Sequence, residues 1–171
     1  CQAAVESGRN VAAVDSCSDC IDALREASSD AKLKRLRAEA YVHRAKAHRA
    51  IGKTLHSMRD YAAAAEDDPK SEAALVGKAE TAIRLGDVLA AQAAVDLIKD
   101  KKKAAPLTAS IDRLGKEMRV ARSFRQDKDF KSAASILTAL TNELAPDASH
   151  LLSELADCLI RAGQLQRAID V

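Results

Sequence analysis

A fixed interval between helix-breaking and small residues limits this chain more than any other feature. Gly52 and Gly86 stand 34 residues apart, as do Ala45 and Ala79. Gly163 follows Lys128 by 35 residues, and Ala156 follows Ala121 by the same step. The step from Gly86 to Lys128 is 42, yet Ala45 to Ala121 and Gly52 to Lys128 are both 76. The chain therefore alternates a short unit with one whose first helix is about two turns longer, or about 10 Å of extra helix. Such a helix is expected to project beyond the stack or to bridge two sub-bundles.

The pattern is clearest in EAALVGKAETAIRLGDVLAAQAAVDLI, residues 72–98, which reads as two helices joined at LGD. Leu75, Ala79, Ala82 and Ile83 are spaced three and four apart before the bend, and Leu89, Ala93 and Ile98 continue the stripe after it. Gly86 supplies the left-handed residue that ends a helix, and Asp87 offers a cap to the next. One helical hairpin cannot bury its own stripe, so the pattern requires neighbours of the same kind.

The rest of the chain supplies them. A broken helix occupies 1–27, with the turn-prone SGRN at 7–10 and Val14, Cys17, Ile21 and Leu24 on one face. Ser28, Ser29 and Asp30 offer an N-cap to a long helix from Ala31 to Ile51. The next helix, 54–66, carries Leu55, Met58, Tyr61 and Ala64 inward and stops before Pro69. Glu66, Asp67 and Asp68 fall at the end of a helix dipole that disfavours them. Lys99, Lys101, Lys102 and Lys103 are expected at a helix C-terminus, which suits them. Pro106 then opens a helix over 107–126, and helices follow QDKD, Pro146 and Gly163.

Aromatic residues make up only 2% of the sequence and charged ones 30%, with a net charge of +2. Helically spaced alanines at that charge content describe an all-helical protein, and the balanced charge does not announce wholesale nucleic-acid binding. No apolar run is long enough to span a bilayer. The chain starts at Cys1 and stops within the amphipathic LQRAIDV, so a fragment of a longer protein is expected. Cys17 and Cys20 sit three apart on a predicted helix without a preceding strand, which reads as packing rather than redox chemistry. His43, His48, His56 and His150 complete no metal-ligand spacing, so no metal or cofactor is expected.

A 34-residue period with two helices per unit resembles the tetratricopeptide repeat (TPR), over nearly the whole chain. The family's small residue in the first helix falls at Ala45, Ala79, Ala121 and Ala156, and that in the second at Ser57, Ala91, Ala133 and Ala168. The larger residue after it is Tyr61, Val95 and Leu137, and the terminating proline is matched by Pro69 and Pro146. The early aromatic is present at Tyr41 but replaced by Leu75, Glu117 and Leu152. The resemblance implies an all-α, right-handed α-solenoid. Its units are a partial repeat at 1–30, a repeat with an extended first helix at 31–71, a repeat at 72–105, an extended one at 106–148 and a partial one at 149–171. LRAEAYV, LLSELADCLIRAGQLQRAID and the lengthened helices are similar to the repeats of J-domain co-chaperones, although no HPD-bearing J segment is present.

In that family the first helices line a concave groove. Carried over, the groove positions are Glu39, Val42, His43, Lys46 and Arg49, then Val76, Glu80, Ile83 and Arg84. Met118, Arg119, Arg122 and Arg125 follow, then His150, Glu154, Asp157, Ile160 and Arg161. This implies a non-catalytic protein-interaction scaffold with an apolar floor and a basic middle, suited to an acidic-hydrophobic segment or an unfolded client. The paired asparagines that grip chaperone tails are replaced by Lys46, Glu80, Arg122 and Asp157, so weak or no binding of such tails is expected. The cytoplasm is the expected compartment, with the endoplasmic reticulum lumen as the alternative. An RNA-binding repeat is the competing reading, resting on Lys32, Lys34, Arg35, Arg37, Arg44, Lys46 and Arg49 with Tyr41 and Tyr61 nearby. No phosphate loop, carboxylate pair or nucleophile–base pairing suggests an enzyme.

Overall fold

The computed structural model describes residues 2–6, 8–26 and 30–171. Ten helices account for them: α1 (Gln2–Glu6), α2 (Asn10–Glu26), α3 (Ala31–Ala50), α4 (Thr54–Asp67), α5 (Glu72–Arg84), α6 (Val88–Val95), α7 (Lys101–Gln126), α8 (Phe130–Glu143), α9 (Ser149–Arg161) and α10 (Leu165–Ile169). No strand occurs among the described residues.

Local chemistry sets the helix ends. Side-chain oxygens of Asp30, Ser71, Asp87, Asp100 and Asp129 each accept a hydrogen bond from a backbone N–H in the first turn of the helix that follows. Of the three candidate caps before α3, Ser28 and Ser29 lie outside the described residues. At Gly86 the backbone turns left-handed with φ +72°, and Asp87 N–H bonds back to the Ala82 carbonyl at 2.9 Å.

Each helix packs on its chain neighbours, and α3, α5 and α7 also stack on one another. The fold is an all-α solenoid of helical hairpins. The small residues sit where close crossings need them: Ala45, Ala79, Ala121, Ser57, Ala91 and Ala133 are buried. Ala156 and Ala168 are only half-buried, because α10, five residues long, covers little of α9.

The interior divides into two cores. Ile21, Ala38, Ala40, Tyr41, Val42, Ala45, Tyr61, Ala64 and Ala74 form one. The other runs from Leu75 to Leu159. Ala74 and Leu75 are adjacent yet belong to different cores, so α5 joins the two. The extended helices were expected to bridge sub-bundles; instead α3 is buried in the first core and α7 in the second. The N-terminal part of α7 does not project freely either, since Leu107 and Ile111 are buried there.

Pro106 lies inside α7, not at its start. Asp100 caps the helix six residues earlier, and Pro106 is exposed. The lysine run therefore begins a helix, where the dipole opposes it. Glu72 offsets this by holding Lys103 Nζ at 2.6 Å, with Asp100 at 3.8 Å. Leu55, Leu89 and Ala93 also depart from the expected stripes. Leu89 is 83% exposed and Leu55 63%, while Ala91, Ala94, Val95 and Ile98 form the buried face around α6.

Ion pairs reinforce the first core. Arg37 forks onto Asp67, with Nε to Oδ2 at 2.6 Å, which offsets the unfavourable dipole at the end of α4. Arg44 binds Asp60 through two bonds of 2.9 and 2.6 Å and reaches Ser18 at 3.0 Å, tying α2, α3 and α4 together. A further node joins units that are not neighbours in sequence. The Asp147 carboxylate accepts from Thr54 Oγ1 at 2.9 Å and Arg84 Nε at 2.8 Å, and its own N–H donates to the Arg84 carbonyl at 3.1 Å.

His48 packs into the same region, buried, with Nε2 3.6 Å from Asp60 Oδ2. Burial holds its imidazole below the usual value; Asp60 opposes that shift, and Arg44, His56 and Lys53 add to it. The unfolded chain then protonates first as pH falls through the ordinary histidine range, so His48 contributes stability that is lost on acidification. Urea melts should give a lower midpoint at about pH 5.5 than at about pH 7.5, and His48→Gln should shrink that difference. An unchanged difference in the variant would assign the pH dependence to other groups.

Candidate functional site

Two clefts open along the C-terminal half of α7, where Arg125 bridges to Glu154 and Asp157 of α9. On the α7 side, Met118, Arg122 and Arg125 follow one another at helical spacing; on α9, His150, Glu154, Asp157 and Arg161 do the same. Between Met118, in the C-terminal half of α7, and the start of α9 lies an apolar cleft of about 720 Å³, walled by Leu55, Met58, Val88, Leu89, Met118 and His150. At the C-terminal ends of both helices lies a basic cleft of about 480 Å³, lined by Arg122, Arg125, Gln126, Lys128, Phe130, Asp157 and Arg161.

Electrostatics separates the two ends. In the basic cleft four cations face one lining carboxylate. Arg125 bridges to α9 through Glu154 at 2.6 Å, with Asp157 at 3.7 Å. Arg161 Nε donates to Asp157 at 2.9 Å, a bond that raises the arginine's pKa further, and its guanidinium lies over the Phe130 ring at 5.3 Å. Arg122 is exposed and forms no ion pair among the described residues.

The expected groove positions have different fates. Met118, Arg122, Arg125, Arg161, His150 and Asp157 come together as the walls of the two clefts. Val42 and Ile83 are buried in the cores and present no groove surface, because their side chains face the neighbouring helices. Val76 and His43 are half-buried. Arg49 and Glu80 are consumed by each other at 2.5 Å, between α3 and α5, and Arg84 is held by Asp147. Lys46, Arg119 and Glu39 are exposed, and Ile160 faces solvent beyond the basic cleft. The basic middle is therefore narrower than expected.

Pattern reasoning missed Lys128 and Phe130, which belong to the α7–α8 bend and not to a first helix. It also missed Leu55 and Leu89, assigned inward although they wall the apolar cleft. Their signal was available: each begins a second helix, immediately after a bend.

Three of the seven basic residues of α3 are spent inside the protein, while Lys32, Lys34, Arg35 and Lys46 stay exposed. Arg37, Arg44 and Arg49 are engaged by Asp67, Asp60 and Glu80, and Arg44 lies over the Tyr41 ring at 5.4 Å. Tyr41 and Tyr61 are both buried, so neither offers a free face for base stacking. Cys17 was expected to act only in packing; it is buried and also disulfide-bonded, while Cys20 and Cys158 are free. No group of three or more metal-ligating side chains occurs among the described residues, and no helix there is long and apolar enough to cross a membrane.

No protein-family model matches the chain. No curated protein matches it either. Among solved structures it is similar to a tetratricopeptide repeat protein from Parabacteroides merdae ATCC 43184. The identity is 18%, covering 99% of this chain and 73% of that one, with a TM-score of 0.41.

Proposed function

We propose that the chain is a non-catalytic protein-interaction scaffold of TPR-like units, and that the α7–α9 groove takes an extended partner segment carrying apolar and acidic side chains. One observation carries this reading: an apolar cleft at Met118 and a cationic cleft at Arg122 and Arg125 follow one another along the C-terminal half of α7. Seven residues of α7 separate Met118 from Arg125, about 10 Å of helix. An extended segment covers that distance in about three residues. The occupant therefore carries a leucine-like side chain about three positions from its acidic ones.

The proposed units follow the repeat spacing, 31–71, 72–105 and 106–148 between partial ones, with the first helix of the third reaching back to Lys101. Co-chaperone or client handling is the context that the sequence resemblance supports. The disulfide at Cys17 favours the oxidising endoplasmic reticulum lumen over the cytoplasm as the compartment.

Fluorescence anisotropy with a labelled, capped peptide bearing one leucine and, three residues on, two glutamates tests the groove. Leu89→Glu and Arg122→Glu change exposed side chains, so both variants should keep the parent's melting temperature. Each should weaken binding by about tenfold or more. Equal affinity for the parent and both variants would place the interaction elsewhere.

A further inference from the structure

The α7–α8 bend departs from its counterparts. Gly8, Gly52, Gly86 and Gly163 all turn left-handed, with φ between +71° and +76°. At the equivalent place the α7–α8 bend has Lys128 at φ +62°. The backbone bonds are the same: Asp129 N–H reaches the Phe124 carbonyl at 2.8 Å, as Lys53 reaches His48 and Gln164 reaches Leu159. Nothing in the turn itself requires a side chain, and an L residue there is strained where glycine is not.

What the side chain contributes is charge in the basic cleft, which Lys128 lines together with Arg122 and Arg161. The acids nearby are otherwise engaged or turned away. Asp129 caps α8 by accepting from Ser132 N–H at 3.1 Å. Asp157 is shared between Arg125 and Arg161. Asp127 is exposed and does not line the cleft. Lys128 and Arg122 thus form no ion pair among the described residues. Strained residues that persist cluster at sites where the strain serves binding.

We propose that Lys128 and Arg122 form a carboxylate-receiving subsite, walled by Phe130 and Arg161, for the acidic side chain of the partner segment. This rests on the groove reading above and adds to it a specific cation, kept at the expense of the turn. Two variants separate charge from backbone. Lys128→Gly should raise the melting temperature by about 2–4 °C, because the strain is relieved. It should also weaken binding of the diglutamate peptide by about tenfold. Lys128→Gln keeps the strained turn, so it should lose the same affinity without the thermal gain. A control peptide with both glutamates replaced by glutamine should bind parent and variants alike, through its leucine. If both variants bind the diglutamate peptide as the parent does, the subsite is refuted, while leucine-dependent binding leaves the groove reading standing. If the parent binds neither peptide, both readings fall.

Discussion

Replacing Asp60 with alanine is expected to lower the melting temperature by roughly 6–12 °C. Asp60 is 5% exposed and receives both arms of the Arg44 guanidinium. Truncating one partner of a buried pair leaves the other charge desolvated and unmatched, at about 3–5 kcal/mol. The Arg44 side chain keeps a fifth of its surface in water, so the lower part of that range applies. At about 2–4 °C per kcal/mol for a chain of this length, the stated drop follows. Arg113→Ala provides the contrast. Its bridge to Glu143 lies on the surface, and losing it should cost well under about 1 kcal/mol. Equal thermal effects from the two variants would show that burial of the Asp60 pair is unimportant.

Gly77→Ala should also destabilise, against the helix scale. Alanine in a helix interior is favoured over glycine by about 1 kcal/mol, so propensity alone predicts a gain. A Cβ at residue 77, however, would fall on the Tyr61 ring, meeting Cε1 and Cζ. That ring is 1% exposed and cannot retreat into solvent. Overpacking of this kind costs about 1–3 kcal/mol and sometimes more, and contact this close belongs at the upper end. The net expectation is a loss of about 2 kcal/mol, or roughly 4–8 °C in the melt. Shrinking the ring to leucine in the double variant Gly77→Ala with Tyr61→Leu should cost less than the sum of the singles. A Gly77→Ala variant that melts above the parent would mean that α4 and α5 are not in contact at this point.

Gly77 also shows what the sequence did and did not reveal. The bends at Gly52, Gly86 and Gly163 and the close crossings at Ala45, Ala79 and Ala121 were legible because they repeat at fixed intervals. Gly77 and Tyr61 answer each other at one place only, so no period marked them. The start of α7 was hidden by Pro106, which resembles a helix opening, whereas the Asp100 cap carried the better signal. At the site, the arginines of α7 and α9 were legible from register. Which of the expected groove arginines remain unpaired was not, because Arg49, Arg84 and Arg125 find their carboxylates on elements distant in sequence.

A stack held together only through successive neighbours behaves like a spring, and each ligand must set its pitch before it can sit. The bonds converging on Asp147 act as a clasp across the coil, joining the start of α4 and the end of α5 to the loop before α9. The apolar mouth lies beside that clasp, with Asp147 itself on its rim. A partner of the proposed kind would therefore meet a mouth whose width these bonds help to hold, and would have less ordering left to impose.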